Sequence, residues 1–138
     1  MISPLIDTNV IIRYLIEEPT SIDNKFKGVL PFFTKLEIGE KKAFIPDIVV
    51  FQAYFVLTSF YKVPQYLAAE KLLKILSFKG LVSSNKKVMQ NCLSIVLHDK
   101  IDIVDAYILA FSKEKRLNSV FSFDTDLKKR GLTLLKVD

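Results

Sequence analysis

The chain has 138 residues, with 20 Lys and Arg against 15 Asp and Glu, so its formal net charge is +5 at pH 7. This length is typical of one domain, and we expect one over residues 1–138. The basic excess favours polyanionic partners through long-range attraction. The one cysteine, Cys92, excludes an intramolecular disulfide and lies in an apolar helical pattern, which predicts a buried, unreactive thiol in a reducing compartment.

Half of the residues are hydrophobic and the mean hydropathy is +0.27. This predicts that the periodic segments bury most of their apolar surface against one another. Apolar surface left over would suit an oligomer. No apolar run approaches the roughly 18 residues of a membrane span. The start at Met1 lacks the basic and apolar regions of a secretion signal. We therefore expect a cytoplasmic protein that neither spans a membrane nor is secreted.

Short apolar segments alternate with segments of helical periodicity along the chain. Pro31 is expected either to begin or to kink the second helix, and Asn85 with the two preceding serines to cap the fifth. The alternation predicts an α/β fold with a parallel sheet covered by helices on both faces. We predict strands at residues 4–6, 43–45, 81–82, 120–123 and 132–136, and helices at residues 9–17, 25–42, 48–61, 65–78, 86–97, 102–115 and 124–129.

Two aspartates directly follow predicted strands. Asp7 ends the first apolar run and Asp124 ends the fourth. Ligands of parallel α/β sheets collect outside the carboxyl ends of the strands, so these positions carry more weight than helix surfaces. Capping of the next helix would explain either aspartate alone. Two aspartates at equivalent places favour a shared site.

A second acidic group, Asp102 and Asp105, lies at the start of an apolar helix. The spacing of three is that of an N-cap and an N3 carboxylate, and capping suffices for Asp102. Asp105 precedes a largely buried helix face, so its carboxylate is expected to point into a cleft, where it needs a partner. If Asp7, Asp105 and Asp124 converge, they would repel one another unless a cation were present.

Hard oxygen ligands favour Mg²⁺ or Mn²⁺ over zinc. The one histidine, His98, cannot build a zinc site and is expected at a helix end. The sequence offers no plausible Ser/His/Asp or Cys/His set, which disfavours nucleophilic catalysis by a side chain.

Three stretches together resemble PIN domains, and especially the VapC-type toxin ribonucleases. The run LIDTNVIIR at residues 5–13 resembles the opening of these domains. The run IDIVDAYILA at 101–110 is similar to their central acidic helix, and SFDTDL at 122–127 is similar to their closing strand-end motif. The order and spacing of the three motifs extend the resemblance over essentially the whole chain.

The resemblance implies a three-layer PIN-like fold, with a central parallel sheet of about four to five strands flanked by helices. It implies cleavage of RNA phosphodiester bonds with Mg²⁺ or Mn²⁺, in which Asp7, Asp105 and Asp124 occupy metal-binding positions. Asn9 and Thr8 match residues that support the first aspartate. The resemblance also implies a homodimer and a small antitoxin protein as partners.

One position departs from the family pattern. The run IPDIVVFQAYFVL at residues 45–57 resembles the second motif, but Gln52 stands where a glutamate is usual. An amide can ligate a cation yet adds no negative charge. Asp102 and Asp126 are candidates to supply the negative charge that Gln52 lacks, although helix capping also explains each of them.

Basic residues near the motifs are expected to lie mostly on solvated helix faces. Arg13, two helical turns beyond Asp7, is a candidate to bind a phosphate or an acidic partner. The other basic residues near the last two motifs are Lys113, Lys115, Arg116, Lys128, Lys129 and Arg130.

We therefore expect a metal-dependent ribonuclease, the toxin of a type II toxin-antitoxin pair. The alternative is a PIN-like module that binds RNA or protein with weak catalysis, which Gln52 favours. A third possibility, a phosphohydrolase with an aspartyl nucleophile, is disfavoured because Asn9 replaces the usual second acid two residues after Asp7.

Overall fold

The computed structural model describes residues 3–17 and 23–138, and helices alternate with short strands through them. A 3₁₀ turn over Asn24–Phe26 precedes the second helix, and a π-helical turn over Val56–Phe60 continues the third. In chain order the elements are α1 (Thr8–Ile16), α2 (Val29–Ile38), β1 (Ala43–Phe44), α3 (Asp47–Phe55), α4 (Gln65–Leu76), β2 (Leu81–Val82), α5 (Lys86–His98), α6 (Ile103–Lys115), β3 (Ser119–Phe121), α7 (Thr125–Lys129) and β4 (Thr133–Leu135).

The predicted α/β class and parallel strand direction are confirmed, but the predicted extent of the sheet is wrong. Within the described residues the strands form two separate parallel pairs, β1 with β2 and β3 with β4. Leu5 adds only an isolated bridge to Phe44. Each strand has two or three residues, so each pair forms few hydrogen bonds, and a central sheet of four to five strands is not found.

The second helix is shorter than predicted. Pro31 lies in the first turn of α2, where its missing N–H removes no hydrogen bond of the helix. The helix ends at Ile38 because Gly39 takes a left-handed conformation, with φ of +86°, that a glycine adopts without strain.

The core lies between the helices. The α5 helix packs against both α4 and α6, and α1 packs against α2 and α3. Stacking of Tyr14 on Phe33, with ring centroids 4.1 Å apart, fixes α1 on α2. Cys92 is fully buried and His98 is the last residue of α5, so the predicted burial of the cysteine and the predicted helix-end position of the histidine are confirmed. None of the described helices is both long enough and apolar enough to cross a membrane.

Candidate functional site

Asp124 lies at the N-cap of α7, just past β3. Its carboxylate accepts a hydrogen bond from the backbone N–H of Asp126 at 2.8 Å, and its own N–H donates to the Ser122 hydroxyl at 2.9 Å. These two bonds fix the turn between strand and helix. The carboxylate of Asp124 is thereby held at the carboxyl end of β3, as the strand-end rule predicts.

Asp105 lies in the first turn of α6, with its side chain half-buried. Burial raises the pKa of this carboxyl group, and the neighbouring carboxyl of Asp124 raises it further by a hydrogen bond and by its charge. The charges of Asp102 and Asp126 add smaller effects in the same direction. Asp105 and Asp124 are therefore near neighbours, and we call them the acidic pair.

Asp102 and Asp126 flank the acidic pair. Asp102 is the N-cap of α6, and its carboxylate accepts from the N–H groups of Val104 at 2.8 Å and Asp105 at 3.4 Å. Asp126 lies exposed in the first turn of α7. Capping is thus the role that the structure gives Asp102, as the spacing predicts.

Asp7 lies in a cleft of about 440 Å³ between α1 and α3. It is the N-cap of α1, and its carboxylate accepts from the N–H of Thr8 at 2.6 Å. Gln52 of α3 lines the same cleft, together with Thr8, Asn9 and Arg13. The π-helical turn that follows α3 adds an apolar wall, with Val56 and Phe60.

Arg13 contacts two side chains outside the lining of this cleft. Its guanidinium group forms an ion pair with Glu17 at 2.7 Å and lies over the ring of Phe26, 4.1 Å from the centroid. The side chain is partly exposed, so a phosphate can reach it. Binding that phosphate would break the ion pair with Glu17.

The structure thus places the predicted site residues in two separate groups. Asp105 and Asp124 form the acidic pair on α6 and α7, whereas Asp7 and Gln52 line the cleft between α1 and α3. Within residues 3–17 and 23–138, no three Asp, Glu, His or Cys side chains lie close enough together to hold one metal ion.

A polar cluster that the sequence did not point to links the two groups. The Asp47 carboxylate accepts from the Asn85 amide at 3.1 Å and from the Tyr107 hydroxyl at 3.2 Å, both through Oδ2. Tyr107 lies two residues after Asp105 on α6, and Asp47 lies on the helix that carries Gln52. The cluster therefore fixes α3 against α6, and with it the spacing between the acidic pair and the cleft.

Asn85 corrects a prediction, because its side chain does not cap α5. The amide is taken up by Asp47 instead, 38 positions earlier in the chain. The other oxygen of Asp47, Oδ1, is buried and has no hydrogen-bond partner among the described residues. In the sequence Asp47 follows Pro46 just before the helix predicted at residues 48–61, and an aspartate in that position gives no signal of a distant partner.

The donors of the acidic pair fit a hard divalent cation. Both are carboxylates, and the negative charge of Asp124 is one of the causes, after burial, that raise the pKa of Asp105. A cation would relieve this repulsion, and oxygen donors without nitrogen or sulfur suit Mg²⁺ or Mn²⁺. Gln52 brings an amide oxygen to the neighbouring cleft but no charge.

A comparison with known protein families shows which family the chain belongs to. The profile of the PIN domain matches residues 5–131, which is most of the 138 residues. PIN domains are nuclease-type domains that act on nucleic acids and typically use divalent metal ions. Comparisons with curated proteins and with solved structures give no match. Since the profile covers far more than half of the sequence, the chain belongs to the PIN domain family.

Proposed function

We propose that this PIN domain is a metal-dependent endoribonuclease that hydrolyses RNA phosphodiester bonds. The acidic pair carries the proposal, because two neighbouring carboxylates beside the end of a strand supply the oxygen donors and the negative charge that a divalent cation binds. The net charge of +5 supports the approach of a polyanion.

Asp105 and Asp124 would hold Mg²⁺ or Mn²⁺, and Asp7 would add negative charge from the neighbouring cleft. When bound, the ion supplies positive charge that lowers the pKa of a water molecule and stabilises the phosphate oxygens. The protein holds its carboxylates in place through backbone N–H groups, from Thr8 to Asp7 and from Asp126 to Asp124. Such fixed ligands keep their geometry when a substrate arrives.

A second candidate function is a PIN domain that binds RNA or protein with little hydrolysis. Gln52 favours it, because this neutral amide lines the cleft of Asp7 where the family pattern has a glutamate. The missing charge would weaken metal binding. Metal-dependent turnover separates the two functions, since both include RNA binding but only the first includes cleavage.

We also propose that the chain acts as the toxin of a toxin-antitoxin pair and forms a homodimer. The resemblance to VapC-type motifs supports the toxin role. Exposed apolar side chains on α3 and its π-helical turn support association, namely Ile48, Phe55 and Phe60. A small reading frame beside the gene would support the antitoxin, and sedimentation analysis tests the dimer.

Cleavage of a mixed RNA pool tests the nuclease function. Wild-type protein with Mg²⁺ or Mn²⁺ should cut the pool, Asp7→Asn should lose most of the activity, and a chelator should abolish it. Glu70→Gln is the matched control, because Glu70 is an exposed carboxylate on α4 that belongs neither to the acidic pair nor to the lining of the Asp7 cleft. Binding of the pool without metal-dependent cleavage would support the binding module instead.

A further inference from the structure

A cleft of about 560 Å³ lies at the other end of α6 from the acidic pair. Its walls are the last turn of α6 and the turn between α7 and β4. Three cationic side chains line it, Lys113, Arg116 and Arg130, above an apolar floor that includes Leu109, Leu117 and Leu132. We call it the basic cleft.

The charge of the basic cleft is only partly neutralised. Arg130 forms an ion pair with Asp99 at 3.0 Å. In the part of the chain that the structure describes, no carboxylate forms an ion pair with Lys113 or Arg116. Lys113 also lies where a cation stabilises the carboxyl end of a helix, but Arg116 follows the helix and faces the same cleft.

The basic cleft continues the face of α6 that carries Asp105. Leu109, Ser112 and Arg116 follow Asp105 by four, seven and eleven positions, which is the spacing of one helix face. The rise of an α-helix places Lys113 about 12 Å and Arg116 about 16 Å along the axis from Asp105. A chain of a few nucleotides spans such a distance.

The chemistry of the basic cleft suits a nucleotide strand. Arginine and lysine bind phosphate oxygens by charged hydrogen bonds, and arginine does so through two donors at once. An apolar floor accepts the face of a base or sugar, as in sites for single-stranded nucleic acid. The volume lies in the range of about 300–1,000 Å³ that is usual for ligand sites.

We propose that the basic cleft binds the phosphates of single-stranded RNA that flanks the bond at the acidic pair, with Lys113 and Arg116 as the main contacts. Naming RNA as the ligand rests on the proposed nuclease function. The cleft therefore adds affinity for longer strands and takes no part in the chemical step.

Fluorescence anisotropy of a labelled single-stranded 12-mer RNA, in chelator and at several KCl concentrations, tests the basic cleft. Lys113→Gln/Arg116→Gln should bind about tenfold more weakly, and its log affinity should fall less steeply with log salt, by about 1.4 for two lost phosphate contacts. The matched control is Lys74→Gln/Lys79→Gln, which removes two exposed charges of α4 and the loop after it. An identical salt slope in the two double variants would overturn the proposal.

Two further measurements keep the result unambiguous. Thermal unfolding shows whether each variant is folded, and Lys113→Arg, which keeps the positive charge, should keep the salt slope of wild type. Inorganic phosphate that binds as tightly as the 12-mer would overturn the assignment to a strand. Because the measurement needs no cleavage, the two proposals can fail separately. If wild type does not cleave RNA but Lys113→Gln/Arg116→Gln lowers the salt slope, only the nuclease function is rejected. If wild type cleaves RNA but this double variant has the same salt slope as its control, only the basic cleft is rejected.

Discussion

The carboxyl groups of Asp105 and Asp124, 19 positions apart in the sequence, lie near enough for Asp124 to raise the pKa of Asp105, although burial is the larger cause. Two neighbouring anionic carboxylates repel each other, and a proton or a cation between them relieves that repulsion. This relationship connects the fold to the proposed chemistry, because α6 and α7 each present an acid at the start of a helix.

The raised pKa of Asp105 predicts how stability changes with pH. The folded protein holds this proton more tightly than the unfolded chain, so in the absence of metal the free energy of unfolding falls as pH rises through the raised pKa. Asp105→Asn cannot ionise and should unfold at a higher temperature than wild type at pH 7. The difference should vanish below pH of about 4, where the ordinary aspartate is protonated.

Thermal unfolding with a chelator, at pH 4 and at pH 7, measures this effect. Glu70→Gln should show no comparable gain at pH 7, because Glu70 is exposed and is not among the groups that raise the pKa of Asp105. A lower melting temperature of Asp105→Asn at pH 7 would mean that the Asp105 carboxylate stabilises the fold, against the prediction.

Gln52→Glu should strengthen metal binding. The change adds a negative charge to the cleft of Asp7, and a dication attracts such a charge strongly in a partly dehydrated site. We expect at least tenfold tighter Mn²⁺ binding, which corresponds to about 1.4 kcal/mol. Calorimetric titration of both proteins measures it, and unchanged affinity would show that Gln52 is not at the metal site.

Tyr107→Phe should lower stability with little change in shape. It removes the hydroxyl that donates to Asp47 at 3.2 Å while keeping the ring that packs against Phe51. Loss of one such hydrogen bond costs about 1 kcal/mol, which urea unfolding resolves. The control Tyr66→Phe removes an exposed hydroxyl on α4 and should be neutral. Equal stability of the two variants would show that the hydrogen bond from Tyr107 to Asp47 does not help to join α3 to α6.

Cys92 should be unreactive in the folded protein. Burial, with a smaller effect from the charge of Asp47, raises the pKa of its thiol to about 12, so at pH 8 only about one molecule in ten thousand carries a thiolate. A colorimetric thiol reagent should react with it no faster than the chain unfolds, and urea should release the reaction. Rapid labelling without urea would contradict the buried position.

The helices and strand ends were predictable because their signals are local. Asp102 before an apolar helix and Asp124 after an apolar strand identify caps from neighbouring residues alone, and both are N-caps in the structure. The length of strand pairing was not predictable, because it depends on how the helices space the strands. The link from Asp47 to Asn85 joins residues 38 positions apart, and only the packing of α3 and α5 on the same core brings them together.

The most direct measurement of the central claim is the rate at which labelled RNA is cut as Mn²⁺ is titrated into wild type, Asp124→Asn and Glu70→Gln. If the acidic pair holds the ion, wild type and Glu70→Gln should reach the same rate at the same Mn²⁺ concentration. Asp124→Asn should need more Mn²⁺ and should cut at least a hundredfold more slowly even at saturation. A rate in Asp124→Asn equal to that of wild type, or a wild-type rate that does not depend on Mn²⁺ or Mg²⁺, would contradict a metal-dependent nuclease built on Asp105 and Asp124.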